Sequence, residues 1–415
     1  MNIELKAVTE PGRRLVEIAE GHVADFATHT DEHDRESSFP FENMEALQKS
    51  GMMAACVPEE FGGLGVVSSH DAALGVGRLG RGDGSTAIAA NMHIFAGWVI
   101  TRAWKAAKGG SDTQIAAITE GLLQQIGAAQ MIMCTVASEG GTDLRHPRTE
   151  ATRVDGGWAL NGRKIFGTLS PIAQLFFVPV RVADGTDEVG GGFAFVPRGT
   201  PGMEVKDNWD ALGMRGSGSN DVAFKDCVIP EASLINTGPY GAWTEMTLEV
   251  ATSGNLGLVA AFLGIAETAR DITVEMVKTR RKGANDRTLA ERYSIQHTIA
   301  EIEIDLAACR AMLGRSGLAI DAFYAEHGAG DAPLDVLHEL NKDFQCTKWF
   351  VNRKAIEIVD RALTVSGGAG YLSKNRLSQL YRDVRAGPFM QPFSPNEAFE
   401  YIGKVTLGLP PDIDA

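Results

Sequence analysis

Two threonines sit where a ligand could be gripped by backbone. Thr142 lies in the run Cys134-Thr135-Val136-Ala137-Ser138-Glu139-Gly140-Gly141-Thr142-Asp143. Thr168 closes Asn161-Gly162-Arg163-Lys164-Ile165-Phe166-Gly167-Thr168. Glycine lets backbone approach a flat, polar-edged ring closely. A hydroxyl can donate to an atom on which negative charge builds up. Among the many groups able to move a proton are the carboxylates Glu245 and Glu249 and the imidazole of His93. Gln391 follows Arg382-Asp383 and takes up no proton near neutral pH. No metal-ligand spacing or serine hydrolase elbow is present, so no metal is expected. Gly75, Gly77 and Gly80 satisfy GxGxxG, but they lie in a helical pattern with no strand before them, which argues against a dinucleotide site.

Three blocks must position these residues. Residues 1–132 carry helical periodicity, with Leu15, Ile18, Ala19 and Val23 as one stripe. Residues 133–240 turn to strands such as Leu175-Phe176-Phe177-Val178, with turn signals at Asp155-Gly156-Gly157 and Asn161-Gly162. Residues 241–415 return to long helices. The chain has 415 residues, 44% hydrophobic and 22% charged, enough for a large core in several subdomains. A net charge of -14 argues against nucleic acid or an anionic membrane as partner. The longest apolar run, Leu256 to Ala266, is too short to span a bilayer and suits a buried helix. No secretory signal is evident, and the five scattered cysteines form no CxxC; a reduced, cytoplasmic protein is expected.

The C-terminal run Ser366-Gly367-Gly368-Ala369-Gly370-Tyr371, then Leu380-Tyr381-Arg382-Asp383, resembles the signature of the acyl-CoA dehydrogenase superfamily. The Thr142 run resembles that family's Thr-Glu-Pro-x-x-Gly-Ser-Asp loop, without the proline and with the glutamate displaced. The Thr168 run resembles its Asn-Gly-x-Lys-x-Trp-Ile-Thr, and Leu212-Gly213-Met214-Arg215 its Leu-Gly-x-Arg. The resemblance covers nearly the whole chain. It implies an α+β fold: an N-terminal helical domain, a small middle β-barrel or sandwich, and a C-terminal four-helix bundle. It implies FAD as cofactor, with FMN as the alternative. Its ring would meet Met133, Thr135, Val136, Gly141, Phe166, Gly167 and Thr168, and the Thr142 hydroxyl would meet a flavin phosphate. Its phosphate side would meet Arg281 (or Arg280), Thr364, Gly367 and Gly368 across a subunit boundary, in a homo-oligomer, a tetramer in most relatives.

The resemblance also places Gln391 where most dehydrogenases of the family carry their catalytic glutamate. Some relatives move that base to the first long C-terminal helix, where Thr247 aligns and Glu245 and Glu249 flank it. The leading expectation is desaturation of an acyl-CoA thioester, with Glu249 or Glu245 as base and an electron-transfer flavoprotein as acceptor. The second is a reduced-flavin monooxygenase of the same fold, served by a flavin reductase, with His93 as its histidine. The third is a catalytically silent flavoprotein.

Overall fold

The computed structural model describes residues 4–413 except 111–112, 186–187, 283–285, 329–331 and 391, and excludes the side chain of Gln114. Helices α1 (Glu10–Glu36), α2 (Phe41–Lys49), α3 (Ser69–Gly82), α4 (Gly84–Gly109) and α5 (Thr113–Gly127) come first. Short polar residues mark several of their starts. Thr9 accepts the Gly12 N–H, Ser68 the Asp71 N–H, and Asp83 those of Ser85 and Thr86.

Eight strands follow: β1 (Met133–Thr135), β2 (Glu150–Val154), β3 (Gly157–Gly167), β4 (Leu175–Ala183), β5 (Gly190–Pro197), β6 (Met203–Val205), β7 (Asn220–Pro230) and β8 (Leu234–Pro239). They form one mixed sheet in the order β6-β7-β3-β2-β4-β5-β8, with β1 beside β4. The β2–β3 hairpin turns at Asp155-Gly156, as its turn signal predicts. Asn161-Gly162 is not a turn. β3 runs straight through it, and the register against β7 shifts there. The glycine serves close packing instead, since a Cβ on Gly162 would stand 2.5 Å from Thr149 Oγ1.

The C-terminal helices are α6 (Glu245–Thr279), α7 (Tyr293–His327), α8 (Leu334–Ser366), α9 (Arg376–Val384) and α10 (Pro395–Thr406). By length and composition α6 could cross a membrane, but 89% of its most apolar window is buried inside the bundle. It is the central core helix. The Gly75/Gly77/Gly80 motif explains how α3 packs there. A Cβ on Gly80 would stand 2.5 Å from the Ala261 carbonyl oxygen, and one on Gly264 2.2 Å from that of Gly77. Gly77, Gly80 and Gly264 let the two helix backbones touch, while Gly75 faces the Leu15 side chain of α1.

A second joint fixes the sheet against the bundle. Met214 N–H donates to Asp383 Oδ1 at 2.6 Å, and Arg382 Nη1 reaches Asp34 Oδ1 of α1 at 2.6 Å. Gly213 lies flat on α9, where any Cβ would stand 2.3 Å from the Arg382 carbonyl oxygen. The Leu-Gly-x-Arg and Arg-Asp motifs are therefore the two halves of one contact. Arg215 belongs to it too, donating to the backbone of Asp34 and Ala211. Burial pushes the Asp383 carboxyl up to about 7, even though it accepts the Met214 N–H.

Candidate active site

The ends of β1 and β3 lie side by side. Ile165 N–H donates to the Ser138 carbonyl at 2.9 Å. Between them sits a pair that sequence reasoning missed. Glu139 accepts the N–H of Arg148 (2.6 Å) and Thr149 (2.9 Å) and the Thr149 hydroxyl (2.7 Å). It also forms an ion pair with Lys164, whose side chain is fully buried. The displaced glutamate is thus the anchor of the glycine loop, and Lys164 of the neighbouring strand was the available signal. Burial alone would raise the Glu139 carboxyl, but Lys164 and the hydrogen bonds hold it below its ordinary value. Burial lowers Lys164 to about 8 despite Glu139.

Beside this anchor Phe166 is 56% exposed and takes φ +56°, a strained backbone for an aromatic residue. Trp209 meets its ring edge-on at 6.0 Å. Thr168 is half-buried, and its Oγ1 starts a chain of hydroxyls: 2.8 Å to Ser219 Oγ, then 2.7 Å to Ser217 Oγ. An open aromatic face next to a hydroxyl suits a flat ring with a polar edge. Thr135 is half-buried beside them. Met133 and Val136 fit the ring-binding expectation poorly. Both are buried, and their N–H groups already donate to His93 Nδ1 (3.0 Å) and the Phe177 carbonyl (3.0 Å). Gly167 is buried against β7, where a Cβ would stand 2.7 Å from the Asn220 carbonyl oxygen. Gly141 has φ +69° and is exposed, while the Thr142 hydroxyl donates to the His146 carbonyl.

On the phosphate side, Thr364, Gly367 and Gly368 are exposed, and nothing lies within 4 Å of a Cβ built on either glycine. Arg280 Nη1 donates to the Ser366 carbonyl at 2.8 Å, which places it beside this run. Arg281 turns away. Its guanidinium pairs with Asp286 at 3.1 Å and donates to the Asp286 carbonyl. Arg280 therefore replaces Arg281 as the cation next to the glycines.

Glu249 is buried and bonded to Arg102 Nε at 2.6 Å, and that guanidinium also covers the Tyr324 ring at 3.6 Å. Burial pushes its carboxyl up, against the pull of Arg102. Thr247 is used in the cap of α6, where its hydroxyl accepts the Thr244 N–H at 2.9 Å. Gln391 lies outside the described residues. Lys348 donates to the Met390 and Phe393 carbonyls.

His93 is 1% exposed, and burial lowers it to about 4. It is a neutral strut between α4 and β1, because its Nδ1 accepts the Met133 N–H. The unfolded chain binds a proton there below about 6.5, whereas the folded protein does so only near 4. Stability should therefore fall as pH drops through that window, by on the order of 3 kcal/mol from this residue. His93→Asn, which keeps an acceptor for Met133, should flatten the acid limb in urea titrations run from neutral to acid pH. An unchanged limb would place the titration elsewhere.

Beside α4 the structure leaves little room. The cavity lined by Asn91, Ile94, Phe95, Ser69, Ser253 and Gly257 measures about 20 Å³, space for roughly one water.

Family models match nearly the whole chain: acyl-CoA dehydrogenase, N-terminal domain, over residues 13–141; middle domain, over 133–227; and C-terminal domain, over 256–393. The chain belongs to the acyl-CoA dehydrogenase family. Within that family, amino sugar nitrososynthase DnmZ of Streptomyces peucetius is 32% identical over 400 residues, 96% of this chain and 94% of that protein. L-evernosamine nitrososynthase of a Micromonospora species is 33% identical over 407 residues, 98% and 93% of the two chains. A crystal structure of KijD3 in complex with FMN and dTDP-3-amino-2,3,6-trideoxy-4-keto-3-methyl-D-glucose superposes with a TM-score of 0.88. It is 33% identical, over 97% of this chain and 95% of that one. Mitochondrial short-chain specific acyl-CoA dehydrogenases of human, rat and mouse match at 26–27% identity.

Proposed function

We propose that this chain is a reduced-flavin-dependent oxygenase acting on the amino group of a nucleotide-linked amino sugar. The observation that carries the reading is similarity along the whole chain to amino sugar nitrososynthases, at 32–33% identity. The second expectation from the sequence is thereby favoured over the first. Acyl thioester desaturation would need a moved base, but Glu249 is locked onto Arg102 inside the bundle.

Bound reduced flavin, with dioxygen, supplies the electrophilic oxygen. Phe166 would cover one face of its ring, and Thr168 would donate to the ring edge, its hydroxyl kept in place by Ser219. Gly141 would let backbone approach the ring. Arg280, Gly367 and Gly368 would receive the phosphate side, from a second copy of the chain in a homo-oligomer. Either FMN or FAD meets these requirements, and a flavin reductase partner would deliver the electrons.

The flavin-loaded protein, mixed without oxygen with a panel of acyl-CoA thioesters, should not bleach. Supplied instead with reduced flavin, air and the dTDP-linked 3-amino sugar, it should consume the amine. Rapid bleaching by a thioester would return the desaturase reading.

A further inference from the structure

We infer that His146 is the base that takes the proton from the substrate ammonium, an assignment that rests on the amine reading above. An aliphatic amine near neutral pH is largely protonated and has no lone pair with which to attack oxygen. One proton must leave first, and a positioned base is the usual means.

The geometry around His146 is that of an oriented base. Glu139 clamps the neck of its loop by holding the N–H groups of Arg148 and Thr149. The loop then carries Gly141, Thr142, Asp143 and His146, and the Thr142 hydroxyl donates to the His146 carbonyl. His146 therefore shares one short, closed loop with two of the expected flavin contacts. Its Nδ1 lies 2.9 Å from Asp143 Oδ1. That carboxylate also accepts the N–H of Arg145 (2.9 Å) and His146 (3.0 Å), and Arg145 Nη2 (3.1 Å). Burial alone would raise Asp143, but Arg145 and His146 hold it below its ordinary value. An ionised carboxylate only accepts hydrogen bonds. This network assigns the proton to Nδ1 and leaves the lone pair on Nε2.

Nε2 has no hydrogen-bond partner among the described residues, and 44% of the side chain is exposed. The residue facing it is Gly241, with φ +82°. A Cβ there would stand 2.7 Å from Nε2, so only glycine fits beside the ring without covering that nitrogen with a side chain. Tyr240 packs against the ring at 5.4 Å and 78°, fixing its plane. Arg145 is buried beneath, tied to the Gly241 carbonyl and to Asp412 and stacked on Trp243 at 4.3 Å. Among the described residues, Glu139, Arg148 of the same loop and Arg181 of β4, beyond Tyr240, also lie nearby.

In the step, an N–H bond of the ammonium breaks and the proton goes to Nε2. The electron pair stays on the amine nitrogen. The imidazolium then releases its proton to water, and no oxidant is consumed.

The test is His146→Gln, which keeps polar bulk and removes the base. With the dTDP-linked amino sugar, kcat/KM near pH 6.5 should fall about 100-fold. Near pH 9, where more of the substrate arrives unprotonated, the gap should shrink to less than about 10-fold. An equal loss at both pH values, or no loss, would overturn the assignment. A second readout needs no flavin. Nitrogen-15 spectra of the wild-type protein should show His146 protonated at Nδ1, with the Nε2 resonance moving when the amino sugar nucleotide is added. A proton on Nε2, or a resonance that stays put, would also overturn it. Wild-type enzyme that oxidises no amine is a different failure: it sinks the functional reading itself.

Discussion

Lys164→Met is expected to lower the unfolding free energy by about 3–5 kcal/mol, the usual cost of removing one partner from a buried ion pair. Lys164 is fully buried against Glu139. Glu139 cannot escape to water, because three hydrogen bonds hold it to Arg148 and Thr149. The variant therefore strands a carboxylate in the floor of the site. In wild type that carboxyl sits below its ordinary value; without Lys164 burial dominates and raises it. A raised acid is stabilising only while protonated, so the variant should approach wild type near pH 4 and fall away as pH rises through the carboxylate range. Glu139→Gln added to Lys164→Met should recover part of the loss, since no charge is then buried. Because Glu139 also clamps the glycine loop, the single variant should fail to retain flavin. Urea titration with visible spectroscopy reads both effects. A change under about 1 kcal/mol would mean that water reaches the pair.

The second large effect is expected from Gly213→Val. A Cβ at 213 would stand 2.3 Å from the Arg382 carbonyl oxygen and 2.6 Å from the Asp383 nitrogen. Both are backbone atoms of α9, so no rotamer change relieves the clash. Such overpacking costs about 1–3 kcal/mol, and the upper end is expected here. The Met214–Asp383 hydrogen bond should be lost with it, leaving a buried carboxyl without that donor. The joint sets the sheet, with Phe166 and Thr168, against the C-terminal segments, so activity should drop by more than stability alone predicts. The neighbouring Leu212 is 65% exposed, and Leu212→Ala should stay within about 0.5 kcal/mol of wild type. Equal behaviour of the two variants would refute the joint.

Much of the architecture was legible because its signals are local. The Asp155-Gly156 turn folds where its residues direct, and the apolar run from Leu256 to Ala266 lies in the buried helix it suits. Phe166 and Thr168 were singled out by the family resemblance, and the fold leaves the Phe166 ring exposed with the Thr168 hydroxyl bonded to Ser219 beside it. What was not legible depends on distant partners. Asn161-Gly162 has the composition of a turn, yet Thr149 packs against it and the strand continues. His93 has the chemistry of a base, but Met133, 40 residues away, occupies its Nδ1. Glu249 is an acid on the expected helix, but Arg102, 147 residues away, claims it. Arg280 and Arg281 are adjacent in sequence, and only the fold decides which of them reaches Ser366. The fate of a titratable group is set by what faces it, and the order of residues along the chain does not show that.

The most direct test of the account is a single reaction in isotopically labelled dioxygen. The purified protein would be given reduced flavin and the dTDP-linked 3-amino sugar, and the product would be weighed by mass spectrometry. One labelled oxygen atom should stand on the sugar nitrogen, with none when the protein is omitted. Unlabelled, unchanged amine, together with enoyl product from an acyl-CoA thioester in a parallel reaction, would contradict it.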